Sequence, residues 1–307
     1  MPRSMQGRPA AVVMALGAAF LWSTYYLFVL AVSPATRPSA VLWYPFVSGA
    51  AAYALLCVGR RQGRLLARTF TQAGAYLRVG LLVGMQLSVL AATLLTGPVD
   101  AALLSLLGDV VATPLVVAAL FVGHRRALAS RWLVTGLLLC LAGGALAIVG
   151  GHGIAAVHGV GWTVVVTVPL SVAFYFVLSA RAGATTPVSV VVAQTMVGAA
   201  LVTAAVSPLV PGGPRALLAV GVVPLVLLLA NGLLSFFVAP VLYFRAIERA
   251  GLVLPPLLMT GIPVFTLLLS AAVLGIAPAP LALLGVPVAV LGGVVALTSG
   301  AGSSPGP

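Results

Sequence analysis

Along the chain, long apolar runs alternate with short gaps of Gly, Pro and Arg. Ten runs can be marked, at approximately 10–31, 40–59, 75–96, 101–122, 131–150, 160–180, 187–209, 221–244, 252–274 and 279–299. A helix needs roughly 20 consecutive apolar residues to cross the bilayer core, and each run is close to that length. The pattern predicts an all-α integral membrane protein with ten transmembrane helices. A β-barrel would show short alternating segments instead. The connections are short, and no soluble domain is inserted. The longest basic gap is GRRQGRLLARTFTQAGAYLR at 59–78. The run after MPRSMQGRPA is too long for a signal-peptide core and is expected to stay as the first span. The tail SGAGSSPGP reads as a short disordered end.

A shift of 149 residues reveals an internal repeat. Pro114 lands on Pro263, Gly136 on Gly285, and the pair Gly143-Gly144 on Gly292-Gly293, so GLLLCLAGG and GVPVAVLGG share a frame. The unit holds five spans, an odd number, so the second copy must enter the membrane from the opposite side. The loop charges agree. GHRRALASR carries three Arg and its mate GIAPAP none, while TGPVD carries none and its mate FRAIERAG two. The expected organisation is a first five-span repeat at 1–155, a second, inverted five-span repeat at 156–300, and a disordered cytoplasmic tail at 301–307. Inverted repeats with a site near the midplane are a common plan of secondary transporters.

Composition sharpens the picture. The chain is 62% hydrophobic and only 6% charged, a balance foreign to water-soluble domains. Its net charge of +12 suggests nucleic-acid binding at first sight. However, all fifteen basic residues are Arg, and they lie in the gaps, where topology-setting charges belong. With the N-terminus inside, thirteen Arg fall on the cytoplasmic side and only Arg37 and Arg215 outside. Both termini are therefore expected in the cytoplasm, with the chain multi-pass in the cell inner (plasma) membrane. Cys57 and Cys140 fall within apolar runs and read as packing residues, with no disulfide, metal site or cofactor expected. His124 reads as a rim residue and His152 and His158 as loop residues, their spacing matching no zinc pattern. Trp43 and Tyr44 read as interfacial anchors, and Glu248 beside Arg245 and Arg249 as a surface ion pair.

The candidate chemistry lies inside the runs. The stretch LLSLLGDVVATPLVV at 103–117 holds Asp109, one of three acids in the chain. A charge at mid-span costs about 2.5–3.5 kcal/mol on insertion scales, enough to keep it off the lipid face. Ser105, Asp109 and Thr113 lie four apart and share a helix face. Pro114 removes a backbone hydrogen bond and crowds the Val110 carbonyl, predicting a kinked, hydrated spot. No Lys, Arg or His lies at mid-span to neutralise the acid, which makes it a candidate proton carrier; a buried structural acid is the alternative. The absence of inward-facing Arg argues against anionic substrates. Weaker stripes are Trp22, Tyr25 and Tyr26; Gln86 and Thr93; Ser171, Tyr175 and Ser179; and Asn231 with Ser235. Singly, such residues are interhelical glue; together they can line one cavity.

Ten spans in inverted halves resemble the drug/metabolite transporter superfamily, EamA-type, over essentially the whole chain. ALGAAFLWSTYYLF resembles its first span through Trp22. GIPVFTLLLSAAVLG and LALLGVPVAVLGG resemble its ninth and tenth through Pro263, Gly275, Gly285 and Gly292, and Pro114, Gly123, Gly136 and Gly143 do so for the fourth and fifth. Where the family often has Glu after the glycines ending spans 4 and 9, this chain has His124 and Ile276. The resemblance implies a cavity lined by spans 1, 3, 4, 6, 8 and 9, with spans 5 and 10 at the periphery.

The expected function is secondary active transport of a small organic solute (metabolite, amino acid or drug), as an exporter, by alternating access with proton coupling. Asp109, Ser105, Thr113, Gln86, Asn231, Trp22, Tyr25 and Tyr175 are the expected substrate-binding or coupling residues, and Pro114 and Pro263 the hinges. The partners are the solute and the lipid bilayer, without nucleic acid, for a monomer or homodimer. A passive facilitator or exchanger, a membrane-embedded enzyme and a scaffold remain as alternatives; few acids and no catalytic Cys–His pairing count against the enzyme.

Overall fold

The computed structural model describes residues 8–120, 130–152, 160–209, 214–251 and 254–297, and among these every regular element is helical. We label the long helices in chain order: α1 (Arg8–Val32), α2 (Pro38–Gly59), α3 (Ala73–Thr96), α4 (98–120), α5 (Arg131–His152), α6 (Val160–Gly183), α7 (Val188–Val206), α8 (222–250), α9 (254–274) and α10 (Pro280–Leu297). Among the described residues, seven helices are long and apolar enough to cross a membrane: α1, α2, α3, the 166–183 part of α6, α7 with its extension to Leu209, α8 and α9. Two shorter apolar helices, Arg131–Leu146 and Pro280–Ala296, lie within α5 and α10. Proline opens α2, with its missing N–H at a position that needs no donor. Between α3 and α4 the chain turns within one residue, Gly97, whose φ of 96° suits glycine.

Polarity is arranged inside out relative to a water-soluble protein. Ser23, Thr93, Asp109, Gln194, Thr195 and Asn231 are buried, while Val13, Leu55, Leu138, Leu201, Val222 and Leu268 face outward. Such a continuous apolar exterior marks a membrane-facing surface. A central core gathers Ala15, Tyr26, Phe46, Leu82, Val172, Phe236 and Met259. A second cluster joins Leu103 and Leu106 of α4 to Leu133 and Cys140 of α5 and Val286 and Ala289 of α10.

The α5–α10 contact is the closest in the molecule. A Cβ at Gly136 would strike the backbone at Gly292 and Ala296, and one at Gly143 the backbone at Gly285 and Ala289. The Cys140 thiol donates to the Ala289 carbonyl at 3.1 Å. Cys140 and Cys57 are both buried free thiols. Elsewhere α1 packs on α8 and α9, α6 on α3 and α4, and α2 on α7 and α8.

Two helices depart from α geometry, and both do so just before a proline. In α4, Pro98–Leu106 passes into a π-helical turn, Leu107–Ala112, and continues as Thr113–Leu120. In α8, Val222–Asn231 passes into Gly232–Val238 and continues as Ala239–Ala250. A proline ring clashes with the carbonyl four residues back. Widening the preceding turn to i→i+5 bonding removes that clash, and π turns of this kind concentrate at functional sites. The Pro114 kink expected from the sequence thus takes the form of a widened turn, which shifts the i, i+4 register of Ser105, Asp109 and Thr113. Pro263 lies in the first turn of Gly261–Leu274, after a break at Met259 and Thr260 that separates it from Leu254–Leu258.

The basic gap at 59–78 is not a plain loop. It holds a short helix, Gly63–Thr69, and the first turns of α3. Arg78 therefore lies inside α3 and is buried, at 6% exposure. This corrects the expectation that inward-facing Arg is missing from the spans. A charge seen in a gap says nothing of which helix face it occupies; here the guanidinium finds Gln194 on α7, at 3.3 Å from Nη2. Tyr44, read as an interfacial anchor, donates to the Leu217 carbonyl at 2.5 Å. Among the described residues Glu248 forms no ion pair with Arg245; both line a cavity at that end of the bundle. His124, His158 and the 301–307 tail lie outside the described residues.

Candidate functional site

A cavity of about 60 Å³ lies at the middle of the bundle. Helix α1 contributes Trp22, Tyr25 and Tyr26, α3 contributes Met85, Gln86 and Val89, and α4 contributes Ser105 and Asp109. From the second half come Val172 and Phe176 on α6, Ser235 and Phe236 on α8, and Ile262 on α9. The aromatic wall follows from the spacing in α1, because Trp22, Tyr25 and Tyr26 stand at i, i+3 and i+4 and share a face. The rings are held from both sides. Tyr25 meets Tyr26 at 5.5 Å and Phe236 at 5.9 Å, and Trp22 meets Phe176 at 5.5 Å and Tyr243 at 5.1 Å.

The widened turns shape the polar lining. In α8 the Ala239 N–H bonds the Leu234 carbonyl, five residues back. The next donor in that register would be Pro240, which has no N–H, so the Ser235 carbonyl is left over. The Trp22 indole N–H takes it, at 2.9 Å, and the Ser235 hydroxyl returns a bond to the Leu21 carbonyl at 3.1 Å. In α4 the Thr113 N–H bonds the Gly108 carbonyl. The next donor would be Pro114, so the Asp109 carbonyl has no backbone donor in that register. The acid of this site thus sits at a backbone irregularity as well as inside an apolar run.

Asp109 is 2% exposed, and its Oδ1 has no hydrogen-bond partner. Tyr26 and Tyr243 lie within electrostatic reach of it. Tyr26 donates to the Ser105 hydroxyl at 3.0 Å, and Ser105 donates to the Ala101 carbonyl at 3.1 Å. Tyr25 Oη and Gln86 Oε1 are also buried without partners. Buried polar atoms in folded proteins are nearly always hydrogen-bonded, to water or ligand where not to protein. Three such atoms around one cavity make it a place for a polar, partly aromatic-stacked guest. Among the described residues no group of His, Cys, Asp and Glu could hold a metal ion.

Of the residues expected from the sequence, Asp109, Ser105, Gln86, Trp22 and Tyr25 come together around this cavity. Thr113, Asn231 and Tyr175 do not line it. The Thr113 hydroxyl bonds the Gly108 carbonyl at 2.9 Å, and both amide atoms of Asn231 are buried without a partner. Tyr175 lies outside the cavity lining, within electrostatic reach of Arg78. Tyr26, Val172, Phe176, Ser235 and Phe236 complete the lining. The signal for Tyr26 and Ser235 was present in their stripes. Phe176 follows Tyr175 directly, and one residue on a helix is a rotation of about 100°, enough to exchange one wall for another.

Comparison with known proteins starts from this geometry. Residues 159–298 match the model of the EamA-like transporter family. The match spans the second half of the chain, from α6 through α10. A solved crystal structure superimposes with a TM-score of 0.70 over 95% of this chain and 97% of its own, at 22% identity. At that identity the likeness carries the fold alone. No curated protein matches. The chain is a multi-span membrane protein with an EamA-like transporter region.

Proposed function

We propose that the chain is a secondary transporter of a small organic solute, working by alternating access, with the solute held in the central cavity and a proton carried at Asp109. The observation that carries this reading is the cavity itself. It lies midway along the helices, is walled by both halves of the chain, and holds unpartnered Tyr25, Gln86 and Asp109 atoms. Export is the direction proposed.

We further propose ten spans in two inverted halves, 1–155 and 156–300, with both termini cytoplasmic in the inner membrane. The packing supports this reading. Gly136 meets Gly292, and Gly143 meets Gly285; shifting either pair by 149 gives the other. Cys140 meets Ala289, its own mate in the shift. The pairings α1–α8 and α1–α9 likewise exchange with α6–α3 and α6–α4 when the halves are swapped. Such an arrangement puts a pseudo-two-fold axis through the central cavity, and the halves rock about it.

Flux in proteoliposomes under an imposed pH gradient tests the function. Pooled amino acids, amines and neutral metabolites serve as the screen, with wild type beside Asp109→Asn. The expected result is solute movement that follows the gradient and falls at least tenfold in the variant, whose melting temperature stays near wild type. Equal gradient-driven flux in both proteins would return Asp109 to a structural role.

A further inference from the structure

Outside the central cavity the molecule buries a second set of polar groups. Arg78 of α3 is 6% exposed, and its nearest hydrogen-bonding acceptor is a neutral one, Gln194 Oε1 at 3.3 Å from Nη2. Its Nε is buried with no partner. Gln194 is fixed from behind, its amide donating to the Ala75 carbonyl at 3.5 Å. Tyr175 of α6 lies within electrostatic reach of the guanidinium. Tyr175 Oη and Ser179 Oγ are both buried without a well-formed hydrogen bond, with the Thr195 and Ser179 hydroxyls beside the Tyr175 hydroxyl.

These groups share a chemical bias. Arginine offers five N–H donors in a planar fork and no acceptor, and the hydroxyls of Tyr175 and Ser179 can each turn a donor to a guest, while the Thr195 hydroxyl is spent on the Val192 carbonyl at 2.9 Å. The chain's three acids lie elsewhere: Asp100 in the first turn of α4, Asp109 at the central cavity and Glu248 exposed on α8. A buried cation whose only acceptor is an amide oxygen is half of a charge pair, and leaving it so is costly. The complement of a guanidinium without a charged partner is an acceptor-only group, and a carboxylate or phosphate fits its fork in two-point fashion.

A second cavity, of about 150 Å³, lies at the Arg-rich end, lined by Tyr53 of α2, Ser189 and Val192 of α7, and Arg60, Arg245 and Glu248. Tyr53, in its lining, lies within electrostatic reach of Tyr175. Two cations against one acid at the rim favour entry of an anion. Between this cavity and the central one stand three stacked rings. Phe176 lines the central cavity, Phe244 lines the outer one, and Tyr243 stands 4.9 Å from the first and 5.7 Å from the second.

We infer that Arg78, with Tyr175, Ser179 and Gln194, forms a binding site for an oxyanion, a carboxylate or phosphate group, reached from the Arg-rich end of the bundle. Gln194 Oε1 holds the guanidinium while the site is closed, and an arriving oxyanion replaces it. Combined with the transport reading on which this part rests, the transported solute carries at least one such anionic group. It engages Arg78 on the way to or from the central cavity.

Thermal unfolding of the purified full chain tests the site without requiring flux. Sodium acetate and sodium phosphate are the probes, with sodium chloride at equal ionic strength as control, in nanodiscs of phosphatidylcholine and, separately, of phosphatidylglycerol. Wild type is expected to melt higher with acetate or phosphate, saturably, in phosphatidylcholine. Arg78→Gln should need at least tenfold more anion for the same shift, and Arg78→Lys should fall between. A stabilisation found only in phosphatidylglycerol, and lost in Arg78→Gln, assigns the oxyanion to a lipid headgroup and overturns the solute assignment alone. Gln194→Glu covers the case in which Arg78→Gln does not fold. It places a carboxylate on the guanidinium, so its melting temperature without added anion should rise and its response to acetate and phosphate should vanish. Wild type that responds to neither anion in either lipid overturns the site, as does Arg78→Gln or Gln194→Glu responding as wild type does. Asp109→Asn should keep the wild-type response, so a failure of transport at Asp109 is read separately from a failure at Arg78.

Discussion

Trp22 shows how much one residue can carry. Its ring packs on Phe176 and Tyr243 while its indole N–H serves the Ser235 carbonyl, which the proline-broken register of α8 leaves without a donor. Trp22→Phe keeps an aromatic ring and removes the donor. A buried carbonyl left unsatisfied costs about 1–3 kcal/mol, so the variant should melt several degrees lower, with a larger loss of solute affinity in flux assays. Unchanged stability would mean that water replaces the indole. The position was legible because tryptophan and two tyrosines repeat at helical spacing. Asp109 was legible because an acid within an apolar run must face away from lipid. Arg78 was not, because a charge at the end of a run reads the same whether it snorkels to water or turns inward. Tyr175 was picked over Phe176 because hydroxyls at steps of four form a stripe. Tyr175 of that stripe lies outside the cavity lining, within electrostatic reach of Arg78, and the cavity takes the ring one residue later.

At the scale of the element, the apolar runs located the helices within a few residues, as 40–59 against Pro38–Gly59 and 75–96 against Ala73–Thr96 show. The widened turns escaped, since periodicity alone cannot tell a kink from an i→i+5 turn, although the prolines that cause both turns stand in plain view. The glycine frames of α5 and α10 were legible as a repeat, but their partner was not. Helix backbones approach closely in membranes where small residues meet, and here the two frames meet each other. Gly143→Leu drives a side chain into the backbone at Gly285 and Ala289. Overpacking costs typically about 1–3 kcal/mol, and a backbone obstacle leaves little room to relax. Gly84 has nothing within 4 Å of a built Cβ, so Gly84→Ala is the matched control and should melt at or slightly above wild type. Detergent-solubilised variants compared by thermal aggregation separate the two; equal melting would show that α5 and α10 are not held by this contact.

For the whole molecule, the distribution of charge and the packing each favour the topology proposed above. Arginines cluster at one end of the bundle, where Arg60, Arg245 and Glu248 line a cavity and Arg249 reaches Met14 near the start of α1. Arg37 and Arg215 stand at the other end, near the Tyr44–Leu217 contact. Basic loops are retained on the cytoplasmic side, so the clustered end should face the cytoplasm. The packing uses no charges: contacts that exchange under a 149-residue shift are what a two-fold relation between the proposed halves produces, and the five spans proposed for each half would make that relation an inverted one. Single-cysteine labelling joins the two. In a Cys57→Ala, Cys140→Ala background, Thr36→Cys and Arg215→Cys should react with a membrane-impermeant maleimide in intact cells. Arg61→Cys and Arg249→Cys should react only after permeabilisation. The halves are distinguished because position 36 precedes α2 and position 215 precedes α8. An outward position in both fixes an even number of crossings between them and so places α7 and α8 opposite in sense to α2 and α3. Labelling of Arg215→Cys from the cytoplasmic side alone would break the inverted arrangement, and with it the rocking of two halves about Asp109.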